Sequence, residues 1–291
     1  GELRNRYAWV VEADIKSFFD TLDHERLIEM IRKRVDDETF IRLIRKWLKA
    51  GILTPQGLVE KPEQGTPQGG LISPVLANIY LHYTLDKWFE TKVKNTCKGE
   101  AFMVRYADDF VAAFRYHGEA ARYLRNLKKR LEDYNLKLAE DKTRKLMFNR
   151  FRKADSETFD FLGFEFRHIV GRSGIDTVWM RTSPRRLRQI VKTFAQWMRK
   201  HLSKRTDWIL GMVKTKLRGL REYFGVRGNS IAVRRMHDLF YRTCFRLFNR
   251  RSQRRSYTWP EFGHLWRMYN VSSLRRLNIE GVQLSLLPYL R

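Results

Sequence analysis

Apolar residues change their spacing several times along the chain, and each change marks an element. Residues 7–15 are a run of apolar and β-branched side chains that predicts a strand, with Asp14 near its end. Asp23-His24-Glu25-Arg26 opens a helix, because a short polar side chain precedes Leu27, Ile28 and Ile31 at helical spacing. Positions 40–48 repeat with the same period and Gly51 stops them. Residues 74–89 predict another amphipathic helix, introduced by the loop Gly65-Thr66-Pro67-Gln68-Gly69-Gly70. Residues 101–114 read as two short strands meeting at Ala107-Asp108-Asp109. A basic helix over 119–134, a strand around 145–148 and an alternating stretch over 159–166, broken at Gly163, complete a mixed first unit.

Behind Gly171-Arg172-Ser173-Gly174 the pattern becomes purely helical. Ser183-Pro184 is a helix start, with a hydroxyl cap and a proline in the first turn. Leu187, Ile190, Phe194, Trp197 and Leu202 keep the apolar spacing of that helix. A second helix is predicted over 208–224, ended by Gly225 and Gly228, and a third from near Ser230 through Val233, Met236, Phe240 and Leu247. These stripes are core positions, and the arginines between them face outward. The expected organisation is therefore α+β over 1–170, a linker over 171–180, a basic helical region over 181–260 and a tail over 261–291, a small helical or docking element with no readable chemistry.

Composition adds that 43% of residues are hydrophobic, enough to bury a sizeable core and to argue against disorder. No apolar run approaches the length of a membrane span, so no membrane partner is expected. Cys97 and Cys244 stand far apart without a Cys-x-x-Cys pair, which argues against structural zinc or a disulfide framework and for a reducing compartment. Charge changes the picture more. Fifty-eight Lys and Arg against 32 Asp and Glu leave +26, and between residues 181 and 255 there are 22 basic residues and 3 acidic ones. Such an excess points to a polyanion, with nucleic acid favoured over an acidic membrane surface.

The candidate chemistry lies at strand ends. Asp14 and the pair Asp108-Asp109 terminate segments that are otherwise apolar. Adjacent carboxylates repel one another and lose hydration unless a cation joins them. Magnesium is the natural occupant, bound through one or two carboxylates plus substrate phosphates. Two such ions, on the order of 4 Å apart, activate a 3′-hydroxyl and stabilise a departing pyrophosphate. Taken alone, Asp108-Asp109 reads equally well as a hairpin turn.

Four motifs in order go further: Asp14-Ile15-Lys16-Ser17-Phe18-Phe19-Asp20; Gly65-Thr66-Pro67-Gln68-Gly69-Gly70-Leu71-Ile72-Ser73-Pro74; Tyr106-Ala107-Asp108-Asp109; and Phe161-Leu162-Gly163-Phe164. Together they resemble the palm of reverse transcriptases. The run 65–81, with Leu76-Ala77-Asn78-Ile79-Tyr80-Leu81, resembles group II intron-encoded enzymes in particular. The resemblance spans residues 7 to about 257. It implies a right-hand polymerase palm, an antiparallel sheet packed on helices, followed by a helical thumb that doubles as the maturase region.

The resemblance also implies roles. Asp14 and Asp108 match the carboxylates that hold both magnesium ions, with Asp109 adjacent and the Ile15 carbonyl completing one shell. Phe19 matches the aromatic beneath the sugar that favours deoxynucleotides, whereas Phe18 is expected in the core. Gln68 and Gly69 match the loop supporting the incoming nucleotide and template. Lys142 matches a lysine that neutralises pyrophosphate, although Ala139 stands where the family commonly has Asn. Phe161, Leu162, Gly163 and Phe164 match the hairpin that grips the primer. Arg185, Arg186, Lys214, Lys216, Arg218, Arg221, Arg250, Arg251, Arg254 and Arg255 are the expected RNA contacts, 214–224 and 250–259 resembling signatures of the thumb and maturase region. The family places its fingers upstream of the Asp14 motif, and the chain begins about a dozen residues before it, so a second polypeptide supplying fingers is one expectation. No His-Asn-His nuclease signature follows Trp259.

The implied activity is RNA-directed DNA synthesis with maturase function. Its partners would be intron and template RNA, a DNA primer and deoxynucleoside triphosphates, in a bacterial cytoplasm near the nucleoid or in an organelle. The competing expectations are a non-catalytic RNA-binding maturase, half of a split enzyme, and a related reverse transcriptase recruited to phage defence.

Overall fold

The computed structural model describes residues 7–49, 52–53, 59–60, 65, 71–149, 156–170, 176–251 and 256–271. The chain divides into two compact units, Gly1–Phe161 with Arg167–Val178, and Leu162–Phe166 with Trp179–Arg291.

In the first unit, β1 (Trp9–Ala13) is followed by β2 (Ile15–Lys16), α1 (Phe18–Thr21), α2 (His24–Arg32), α3 (Glu38–Leu48), β3 (Ile52–Leu53), β4 (Val59–Glu60) and α4 (Ser73–Leu81). Then come β5 (Ala101–Tyr106), β6 (Asp109–Phe114), α5 (His117–Glu132), β7 (Lys137–Leu138), β8 (Arg144–Met147) and β9 (Phe159–Phe161). Four strands form an antiparallel sheet in the order β5-β6-β1-β8. The period of two sends Val11, Ala13, Phe110, Ala112 and Phe114 to one face, where they join Leu27, Ile28, Leu76, Tyr80, Tyr123 and Leu127 of the helices in one buried cluster. Each fully buried side chain of this size contributes about 1.5–3 kcal/mol, so this face holds the unit together. Helix starts are specified locally. The Asp23 carboxylate accepts from the Arg26 N–H at 3.0 Å to cap α2, and Asp37 accepts from Thr39 and Phe40 at 2.8 and 3.0 Å to cap α3.

The helix expected over 74–89 runs longer. Beyond Leu81 it passes through a π-helical turn at His82–Asp86, a second at Phe89–Val93 and a 3-10 turn ending at Thr96.

The chain passes between the units within β10 (Phe164–Val170) and β11 (Asp176–Thr182), which with β9 make a sheet in the order β11-β10-β9. Residues 176–180, expected as linker, are therefore strand. Thr177, Val178 and Trp179 suit a pleated strand better than a flexible connection.

The second unit is built on α6 (Pro184–Lys200), α7 (Thr206–Phe224), α8 (Ser230–Phe248) and α9 (Trp259–Met268). Its core gathers Phe194, Met198, Ile209, Val213, Leu217, Phe240, Cys244, Phe248, Phe262 and Trp266, with Phe194 and Phe240 stacked at 3.7 Å. Ser183 stands at the N-cap of α6 as expected, yet its hydroxyl makes no capping hydrogen bond. Residues 261–268, expected as tail, belong to α9. A reciprocal Thr258–Glu261 capping box starts that helix, and Phe262 and Trp266 bury in the core. The buried Asn229 amide joins three segments of this unit: it donates to Thr182 Oγ1 and the Phe224 carbonyl at 2.8 Å and accepts from the Thr182 N–H at 2.9 Å.

Candidate functional site

The β1–β6 ladder positions the carboxylates. Its register pairs Glu12 with Val111 and Ala13 with Phe110, so one further step sets Asp14 opposite Asp109. Opposite residues of an antiparallel pair share a face and lie about 4.5–5.5 Å apart at Cβ. Glu12, Asp14 and Asp109 thus rise on the face of the sheet away from the helices. Asp108 stands in the two-residue turn between β5 and β6, where Tyr106 pairs with Asp109 and Ala107 takes φ 53. That left-handed conformation costs a non-glycine residue about 1–3 kcal/mol and persists only where its surroundings enforce it.

The electrostatics reflect this convergence. Burial first, then the neighbouring charges of Asp108 and Asp14, raise the Asp109 pKa above the ordinary carboxylate value, with Lys142 opposing them. Lys142 arrives by a separate route. β2 pairs with β7, Ile15 against Leu138, and the short turn Glu140–Lys142 follows. The Lys142 ammonium then donates to Asp14 Oδ2 at 2.6 Å, and this bond raises the lysine pKa. The Ile15 side chain is buried, so only its backbone can serve a ligand.

Among the described residues no three His, Cys, Asp or Glu side chains form a metal-binding group by themselves. A hard divalent cation does not require one when one or two carboxylates and substrate oxygens complete its shell. The crowding of negative charge around Asp109 and the all-oxygen donor set fit such an ion.

Phe18 is buried beneath the site, while Phe19 is half-buried and meets it edge-on at 5.4 Å. Gly65 packs directly on this segment, its N–H donating to the Leu22 carbonyl at 2.8 Å and its own carbonyl bonded to the His24 ring. It has φ +85, and a Cβ there would lie 2.5 Å from the Phe19 carbonyl oxygen, so only glycine fits. Gln68 and Gly69 lie outside the described residues.

Two groups near the carboxylates escape a reading of the sequence alone. Glu12 is paired with Arg144 at 2.6 Å, burial raising its pKa against that bond. Arg105 forks onto Asp86. The signals were a charged residue within each of two strands that are otherwise mostly apolar, but a single sequence gives their partners no address.

In the second unit, Leu162 and Gly163 both take positive φ, 52 and 77, which makes the tight turn before Phe164. Tyr223 donates to the Leu162 carbonyl at 2.9 Å and stacks on Phe164. Phe161 ends β9 in the first unit. Arg185, Arg186, Arg218 and Arg250 are exposed, and Lys214, Lys216 and Arg221 are half-buried. Lys216 lies 4.8 Å over the Trp197 ring. Arg251 instead bonds Thr206 and the Lys204 carbonyl and so ties a loop to α8. Arg254 and Arg255 lie outside the described residues. A groove of 450 Å³ between α6 and α8 is lined by Arg188, Lys192, Arg199, Arg235 and Arg246, none of which a signature motif singles out. No described helix is long and apolar enough to cross a membrane.

Residues 2–166 match the family described as reverse transcriptase (RNA-dependent DNA polymerase). The group II intron-encoded protein LtrA of Lactococcus lactis subsp. cremoris is 51% identical over 80 residues, covering 28% of this chain and 13% of LtrA. An uncharacterized 91 kDa protein in the cob intron of Schizosaccharomyces pombe is 48% identical over 82 residues, covering 28% of this chain and 10% of that protein. The chain thus spans a small part of the length of these relatives. Apo telomerase from Candida tropicalis shares the fold, with a TM-score of 0.50 and 14% identity over 95% of this chain and 48% of the telomerase chain. An antiparallel sheet flanked by helices, with paired carboxylates at its hairpin and a match across more than half the chain, places this protein in the reverse transcriptase family, with group II intron-encoded proteins as its relatives.

Proposed function

We propose that this chain carries the nucleotidyl-transfer centre of an RNA-directed DNA polymerase of group II intron type, joined to a unit that binds intron RNA. The observation that carries the reading is the β1–β6 register, which sets Asp14 beside Asp109 although 94 positions separate them. Asp14, Asp108, Asp109 and the Ile15 carbonyl would hold two magnesium ions, whose chemistry is to activate a primer 3′-hydroxyl and stabilise the leaving pyrophosphate. The chain's own side chains do the rest. Phe19, shelved on Phe18, underlies the sugar and disfavours a 2′-hydroxyl. Lys142, already at Asp14, supplies a positive charge and a proton donor beside the departing phosphates. The Leu162–Phe164 turn holds the primer strand, and the stretch with Gln68 and Gly69 would support the incoming nucleotide. In the second unit, arginine and lysine neutralise RNA phosphates.

Primer extension on an RNA template tests the reading, with the chain alone and mixed with the segment that precedes the Asp14 motif in other family members. Magnesium-dependent incorporation of deoxynucleotides is expected, and Asp108→Ala should remove it. Incorporation that survives Asp108→Ala would discard the catalytic assignment. A second reading, a maturase that binds RNA without catalysis, is favoured by the basic α6–α8 face alone; it predicts full RNA affinity and no incorporation under any of these conditions.

A further inference from the structure

Arg105 is the penultimate residue of β5, two positions before the strained Ala107, and its side chain is only 11% exposed. All three guanidinium nitrogens are engaged. Nε and Nη2 donate to Asp86 Oδ1 and Oδ2 at 2.7 and 2.6 Å, a bidentate fork, and Nη1 donates to Asn78 Oδ1 at 2.8 Å and to the Ala107 carbonyl at 2.9 Å. One end of this network is the backbone of the carboxylate hairpin, and the other is the helix that begins at Ser73.

The helix is shaped for the task. Asp86 lies eight positions after Asn78, and on a regular α-helix that spacing places them about 80° apart around the axis. The π-helical turn His82–Asp86 absorbs one residue, so the two acceptors come round to about 20°, as residues seven apart would. Both then reach one guanidinium. Lysine could not replace it, since an ammonium offers no planar fork. Because the Arg105 charge is matched by Asp86, the network adds little field at Asp14 or Asp109; its effect on them is geometric.

From this the geometry points to a positioning clamp: Asp86 and Asn78 hold Arg105, and Arg105 holds the Ala107 carbonyl, fixing the left-handed residue that aims Asp108 and Asp109. The clamp deepens the polymerase reading and rests on it for its purpose, but its mechanical part stands separately.

The test is amide hydrogen exchange across residues 104–111 of the full chain, measured in Arg105→Lys and in the milder Asn78→Ala, with α5 as internal reference. The hairpin should exchange about tenfold faster in Arg105→Lys while α5 is unchanged, the mark of local rather than global opening. Equal exchange in all three proteins overturns the clamp. If Arg105→Lys does not fold, Asn78→Ala decides, since it removes one of four bonds and should show a smaller acceleration of the same segment. In primer extension, Arg105→Lys should lower kcat about 100-fold with the nucleotide KM little changed, as a misaimed centre does. A wild-type chain that never incorporates nucleotide would sink the polymerase reading and leave the exchange result to judge the clamp. Normal kcat alongside a loosened hairpin would sink the positioning role.

Discussion

Asp109 bears the electrostatic cost of the site. Its pKa is raised by burial and by two neighbouring carboxylates, so the folded chain holds a proton there more readily than the unfolded one. A group shifted this way contributes stability below the ordinary aspartate range, and that contribution is lost as pH rises through the folded value. Asp109→Asn should therefore raise the Tm at pH 7 without divalent ions, and the advantage should shrink as pH falls toward 4. Magnesium should raise the wild-type Tm and move the variant less. Thermal melts across pH, with and without magnesium, check both statements; a variant no more stable than wild type at pH 7 would deny the crowding. Phe19 offers a second residue-scale measurement. Phe19→Ala should relax discrimination against ribonucleotides in single-nucleotide kinetics, and unchanged selectivity would leave Phe19 as packing only.

At the scale of elements, the sequence was most informative where one periodicity ran long enough to dominate. The helices expected over 208–224 and from Ser230 are α7 and α8 almost to the residue, because their apolar faces are continuous. The two strands meeting at Ala107-Asp108-Asp109 are β5 and β6 for the same reason. The π-helical turns in the helix that begins with α4 were not legible, since a widened turn changes hydrogen bonding without a distinctive residue. Nor was β11, masked by the glycines before it, nor the extent of α9, whose ten residues follow an arginine run that reads as surface. The site shows the same division. Asp14, Asp108 and Asp109 could be named from motifs, but the Arg105 fork and the Glu12–Arg144 pair depend on tertiary neighbours that periodicity does not encode. Gly65 links the two levels. Gly65→Ala would force a Cβ against the Phe19 and Asp20 backbone at φ +85, and a loss of about 1–3 kcal/mol is expected from the conformation alone. Denaturant unfolding measures it, and a variant as stable as wild type would mean the loop can leave that backbone.

Charge is the property of the whole molecule. With +26 overall and the cations concentrated behind residue 181, binding to RNA should weaken steeply with salt. Arg188→Ala and Lys192→Ala, on the groove between α6 and α8, should each reduce the slope of log affinity against log salt by about 1 if the side chain contacts a phosphate. A flat salt response would exclude this face as the polyanion surface. RNA affinity should survive Asp108→Ala, since that residue belongs to the other unit.

The docking of α9 has a practical corollary. Because Phe262, Trp266 and Val271 are sealed inside the second unit, cutting the gene at the end of the recognisable arginine signature would strip a wall from the bundle and leave Phe248 and Tyr241 wet. Expression boundaries for any fragment of this region belong beyond Val271, and a shorter one that aggregates would report on its missing wall, not on its affinity for RNA.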